Sequence, residues 1–218
     1  MDNIRFLALG DSYTIGEGVA PSDRWPIQLS ARLRALGVLL QDPLVVAETG
    51  WTTYELLEGI DEAEPLGTYS LVSLLIGVNN QYRGASIQEY RAQFVDLLHR
   101  AMRFAGGEPG RVLVLSVPDW GVTPFARGRD RGAIAREIDA FNEVNRQESE
   151  ALGAFWIDVT GISREGGTRP GFLAPDGLHP SGEMYARWVE ASLPRVLEIL
   201  GSPALWPGKK AAARSVRR

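Results

Sequence analysis

Tyr69-Ser70-Leu71-Val72-Ser73-Leu74-Leu75-Ile76 is the most strand-like run in the chain, and Gly77 closes it. A short, nearly continuous apolar run ended by a turn residue is the pattern of a strand buried on both faces. Working outward, the same pattern recurs. Ile4–Leu9 (IRFLAL) stops at Gly10, Leu44–Ala47 at Glu48-Thr49-Gly50, and Arg111–Val117 (RVLVLSV) at Pro118, while Ala154–Val159 forms a fifth run. Helical periodicity fills the intervals. In Arg24–Val38, Trp25, Leu29, Leu33 and Leu36 recur at three- and four-residue steps, and Thr52–Ala63 follows with Thr52 or Thr53 as its cap. Ser86–Phe104 opens with Ser86 and Glu89 in capping-box spacing. A loop rich in Gly, Pro and Arg leads to about Asp130, a helix continues to about Leu152, and Ser181–Leu200 closes the chain. Strands alternating with helices predict a three-layer α/β/α domain around a five-stranded parallel sheet. The flavodoxin-like order is the leading topology by analogy.

The chain has 218 residues, a length suited to one domain with a full core. We expect that domain over residues 1–205, followed by a basic, solvated tail over 206–218. The net charge of −4 hides this split. Setting aside the five basic residues from Lys209 to Arg218 leaves 18 basic against 27 acidic residues, or −9. So acidic a body is a poor match for nucleic acid. No apolar run has the length of a membrane span, and the start lacks a secretory pattern, so the expected location is cytoplasmic. With no cysteine, disulfide frameworks, zinc–thiolate sites and thiol nucleophiles are excluded. Two histidines, His99 and His179, leave no room for a histidine-rich metal site, and no metal or cofactor is expected.

Ligands of open parallel sheets bind beyond the carboxyl ends of the strands. Three such ends carry a glycine beside polar groups: Gly10-Asp11-Ser12-Tyr13, Glu48-Thr49-Gly50-Trp51 and Gly77-Val78-Asn79-Asn80. Far along the chain, Asp176-Gly177-Leu178-His179 precedes the closing helix. A carboxylate three residues before a histidine on a tight turn is placed to hold Nδ1–H, so that Nε2 faces outward as a base. That base needs a nucleophile, and without cysteine Ser12 is the natural partner. His99, inside an amphipathic helix, reads as structural, and Asp11 as a turn-shaping residue.

These blocks resemble the four signature blocks of the SGNH, or GDSL-type, hydrolases: Gly10-Asp11-Ser12, Gly50, Gly77-x-Asn79 and Asp176-x-x-His179. The similarity extends from residue 4 to about 200. It implies the SGNH hydrolase fold, with Ser12 as nucleophile, His179 as base and Asp176 as its orienter. It also implies an oxyanion hole made by the N–H groups of Ser12 and Gly50 and the Asn79 amide. One departure stands out. The family usually has Asp after the third-block Asn, and here that residue is Asn80.

No G-x-S-x-G elbow follows a strand, no phosphate-binding P-loop is present, and Gly16-Glu17-Gly18 fails as a dinucleotide fingerprint at Pro21. Tyr13, Trp51, Tyr82, Trp120 and Phe172 flank the blocks and are candidates to line a pocket. Arg83, Arg127 and Arg129 lie in the rim loops, facing water or an anionic part of a substrate. The expected function is hydrolysis of a small-molecule ester, first of all a small acyl or acetyl ester, such as one on a carbohydrate. Alternatives on the same residues are lysophospholipase, thioesterase or acyltransferase activity. A non-catalytic anion-binding module is the rival of a different class.

Overall fold

The computed structural model describes residues 4–167 and 169–201. The expected basic tail, 206–218, lies outside them. Five strands form one parallel sheet: β1 (Phe6–Gly10), β2 (Leu44–Ala47), β3 (Leu71–Leu75), β4 (Val112–Leu115) and β5 (Phe155–Ile157), in the order 2-1-3-4-5. This is the flavodoxin-like order, the leading topology by analogy. Every residue of β1, β3 and β4 is buried, which explains why those runs lack polar alternation. The edge strands β2 and β5 are only partly covered.

Alternate strand residues serve opposite cores. Phe6, Ala8, Leu71, Leu75, Leu113 and Leu115 pack towards α2 (Trp25–Ala35) and the closing helix, in one cluster with Trp25, Leu29, Leu33, Trp188 and Leu193. Leu7, Leu9, Val72, Leu74, Val112 and Val114 join the other cluster, with Leu56, Ile60, Phe94, Leu97, Leu98, Phe141 and Val144. Those last residues come from α3 (Thr53–Ala63), α5 (Ile87–Phe104) and α6 (Arg131–Leu152). The period-two alternation of a strand thus builds both faces of the three layers.

Caps sit where side chains can satisfy the first helical N–H groups. Thr52 and Glu55 make a reciprocal capping box at α3. At α5, Ser86 accepts from the Glu89 N–H. Asp130 caps α6, and Ser181 caps the closing helix, Gly182–Ile199. Two short helices, α1 (Ser12–Ile15) and α4 (Val78–Tyr82), occupy stretches that read as turns, and a third, α7 (Thr160–Gly166), one to which the sequence assigned no element, so the closing helix is α8. Four to seven residues are too few to show a helical period. The loop after β4 is likewise structured by single turns at Trp120–Val122 and Pro124–Ala126. No described helix is long and apolar enough to cross a membrane.

Candidate active site

At the carboxyl end of β1 the chain turns within one residue. A Cβ on Gly10 would lie 2.2 Å from Thr14 Oγ1 and 2.5 Å from the Leu75 carbonyl, so only glycine fits. Asp11 then caps α1, its Oδ1 accepting from the Tyr13 N–H at 3.0 Å. Ser12 is therefore the first helical residue and not the cap, and it is 5% exposed.

Residues 172–181 fold back on themselves. Ala174 N–H donates to the His179 carbonyl and Ser181 N–H to the Phe172 carbonyl, while Gly177 turns the chain with a φ of 68°. This turn brings His179 across 167 positions of sequence to Ser12, with Nε2 3.0 Å from Oγ. His179 Nδ1 lies 2.7 Å from Asp176 Oδ2, and Asp176 Oδ1 accepts from the Leu178 and His179 N–H groups at 2.9 and 3.0 Å. Burial pushes the Asp176 carboxyl up, but the bonds from the His179 ring and the Leu178 and His179 N–H groups outweigh it and hold the group below its ordinary range. An ionised carboxylate only accepts, so Nδ1 carries the hydrogen and Nε2 is left to accept from Ser12 Oγ–H. The Tyr13 ring packs edge-to-face with the imidazole, with centroids 5.6 Å apart.

Ser12, Asn79 and His179 form the polar wall of a cavity of about 140 Å³. Tyr13, Val78, Tyr82, Trp120, Phe125 and Leu178 form its apolar wall. Of the aromatics named from sequence, Tyr13, Tyr82 and Trp120 therefore line it. Trp51 and Phe172 sit apart. The Trp51 ring fills the notch left by Gly59 of α3, where a Cβ would stand 2.1 Å from a ring carbon. Phe172 lies against Gly166 and Met184, with the Arg169 guanidinium 4.6 Å from its ring centre. Val78, Phe125 and Leu178 were not singled out in the sequence, although Val78 and Leu178 fall inside the recognised blocks. Tyr82, Trp120 and Phe125 pack ring to ring at centroid distances of 5.3, 5.9 and 6.4 Å.

Gly50 contributes no wall of the cavity, but its loop is joined to it. Asn79 Nδ2 donates to the Trp51 carbonyl at 2.9 Å, leaving the second amide hydrogen of Asn79 for the cavity side. Asn80, where a carboxylate was expected, accepts from the Thr53 N–H at 3.0 Å and donates to Thr53 Oγ1 at 2.7 Å. That hydroxyl in turn donates to Gln93 Oε1. An amide meets both needs of Thr53, its N–H and its hydroxyl oxygen, whereas a carboxylate would have to take the hydroxyl hydrogen from Gln93. Arg83 is bonded to Gly50 and Glu55, Arg129 stacks 5.7 Å from the Tyr82 ring centre, and Arg127 is exposed. His99 lies exposed on α5.

Residues 8–187 match the sequence model of the GDSL-like Lipase/Acylhydrolase family. The chain belongs to that family. It is an SGNH-type serine esterase, a hydrolase of ester bonds. Among solved structures, TesA is similar at 21% identity over 89% of this chain and 99% of its own, with a TM-score of 0.70. Axe2, an acetylxylan esterase from Geobacillus stearothermophilus, shares 20% identity over 88% and 94%, with a TM-score of 0.68. The psychrotrophic esterase EstA from Pseudoalteromonas sp. shares 16% over 92% and 100%, with a TM-score of 0.64. At such identities these likenesses establish the fold. No curated protein is similar enough in sequence to match.

Asp11, beside Ser12, carries a buried carboxyl. It is fully buried, with Oδ2 lacking a hydrogen-bond partner among the described residues, and burial pushes its pKa up to about 7 against the pull of the Tyr13 N–H. A raised acid favours the fold most below its unfolded value of 3.8, and that contribution is lost as pH rises through about 7. Asp11→Asn keeps an oxygen for the Tyr13 N–H but does not ionise. In urea unfolding, wild type should therefore lose stability relative to Asp11→Asn between pH 4 and pH 8, by at most about 4 kcal/mol. Parallel pH profiles for the two proteins would refute this.

Proposed function

We propose that ester hydrolysis runs through Ser12, His179 and Asp176, and the observation that carries this is the unbroken chain Ser12 Oγ–His179 Nε2, His179 Nδ1–Asp176 Oδ2 at the wall of one cavity. Ser12 Oγ attacks the ester carbonyl while His179 Nε2 takes its proton, and Asp176 stabilises the imidazolium. The carbonyl oxygen, now an oxyanion, is received by the N–H groups of Ser12 and Gly50 and by the free Asn79 amide hydrogen. His179 then protonates the departing alcohol. Water, activated by the same histidine, attacks the acyl group on Ser12 and releases the acid.

The substrate reading is a small acyl ester, acetyl first. A cavity of about 140 Å³ is well below the several hundred Å³ of pockets that enclose whole drug-sized ligands, so a short acyl chain fits and the alcohol stays outside. At the rim of that wall Tyr82 and Phe125 stand 46% and 47% exposed, offering aromatic surface to a sugar or an aryl group. That Axe2 is named an acetylxylan esterase agrees with this reading. Treatment with a serine-directed fluorophosphonate followed by peptide mapping should place the label on Ser12 alone. A folded protein that labels elsewhere, or not at all, would overturn the assignment.

A further inference from the structure

We propose that Arg83 is a positioning residue for the esterase reaction: by holding the peptide unit that follows Gly50 it fixes where the Gly50 α-carbon sits, and with it the Gly50 N–H that meets the oxyanion. This rests on the reading of Gly50 as an oxyanion donor. Residues 48–51 make a turn in which Trp51 N–H reaches the Glu48 carbonyl at 3.4 Å and Gly50 takes a φ of 88°. Before Gly50 the turn has one further tie, Thr49 Oγ1 donating to Glu17 Oε2 at 2.5 Å, and neither bond grips the Gly50 carbonyl. Three successive peptide units after Gly50 are nevertheless gripped at both ends. In the first, the Gly50 carbonyl accepts from Arg83 Nη2 at 2.6 Å, and its other end is that Trp51 N–H. In the second, the Trp51 carbonyl accepts from Asn79 and Thr52 N–H donates to Glu55. In the third, the Thr52 carbonyl accepts from Leu56 N–H and Thr53 N–H donates to Asn80. The Gly50 N–H, by contrast, donates to no protein group among the described residues.

The grips come from one short stretch. Asn79 and Asn80 belong to α4, and Arg83 ends it, its own N–H donating to the Asn79 carbonyl at 3.0 Å. The stretch that carries the Asn79 donor therefore also anchors the chain just after Gly50, which keeps the Gly50 α-carbon at a fixed place relative to Asn79. Glu55, from the α3 capping box, fixes the guanidinium through Nη1 at 3.0 Å. Only a planar fork reaches both the Glu55 carboxylate and the Gly50 carbonyl at once; a lysine has a single charged tip for the two.

The test uses Arg83→Met and Arg83→Lys with Ser12→Ala in parallel, on p-nitrophenyl acetate. Arg83→Met should lower kcat about 10- to 100-fold, less than the roughly 10²- to 10³-fold cost of removing an oxyanion donor outright, with KM nearly unchanged. Arg83→Lys should recover part of the loss, and added guanidinium ion should restore part of the Arg83→Met rate. A kcat for Arg83→Met within about twofold of wild type, or a loss confined to KM, overturns the proposal. Should Arg83→Met fail to fold by circular dichroism, Arg83→Lys decides alone: a lowered kcat at constant KM supports it and an unchanged kcat overturns it. Activity surviving in Ser12→Ala refutes instead the assignment of the site, on which the proposal depends.

Discussion

Ser12→Ala is expected to lower kcat/KM on p-nitrophenyl acetate by about 10⁴- to 10⁶-fold, the scale on which serine hydrolases lose rate with their nucleophile. What survives would come from the oxyanion donors and from substrate binding, neither of which needs the hydroxyl. The same variant should melt close to wild type, and the reason is local. A serine at this place in a sequence is most cheaply read as a helix cap, and removing a cap costs about 1 kcal/mol, up to about 2. Here the cap is Asp11, which accepts from the Tyr13 N–H, so Ser12→Ala leaves the start of α1 intact. It deletes one hydrogen bond, from Oγ to His179 Nε2, and exposes that nitrogen to a cavity and not to a sealed core. A net loss of about 0.5–1.5 kcal/mol follows. Activity within tenfold of wild type would remove Ser12 from the mechanism, and a loss beyond about 3 kcal/mol would return it to a structural role.

The sheet was legible because its signal is redundant. The runs around Leu7, Leu74 and Val114 are apolar, short and ended by Gly10, Gly77 and Pro118, as burial on both faces demands, and the partly covered edge strands around Val46 and Trp156 repeat the pattern more loosely. The strands proved shorter than the runs, as at Tyr69–Ile76 against Leu71–Leu75, because the apolar run extends past the last ladder bond. The short helices α1, α4 and α7 were illegible for the opposite reason: none is long enough to repeat a face. The candidate site was reached through composition and the four-block resemblance together, since a chain with two histidines and no cysteine admits few nucleophilic arrangements. The cavity lining was legible only in part. Nearness to a strand end says where a residue is, not which way its side chain turns. Trp51 follows Gly50 directly, yet its ring turns away to the notch at Gly59, a glycine that nothing in the periodicity of α3 marks as its seat. Phe125 lay in a loop without pattern, and only the fold brings it to Tyr82 and Trp120.

Asp176→Asn should cost about 10³- to 10⁴-fold in kcat, more than the removal of one charge from a half-open site would suggest. Screening by water would blunt a purely coulombic effect, because the Asp176 side chain is 38% exposed. The loss comes from the proton. Asp176 Oδ1 is pinned by the Leu178 and His179 N–H groups, so the single oxygen of an asparagine will occupy that place. Its NH₂ must then face His179 Nδ1, which can only accept from it, and the ring hydrogen moves to Nε2. An Nε2–H cannot take the proton of Ser12, although every heavy atom stays within hydrogen-bond reach. The chain's composition makes the shift observable: with only His99 and His179 to label, ¹⁵N spectra of the ring nitrogens should show one imidazole exchanging tautomers between wild type and Asp176→Asn. A retained Nδ1–H tautomer, or a kcat within tenfold of wild type, would mean that Asp176 holds the turn without directing the proton.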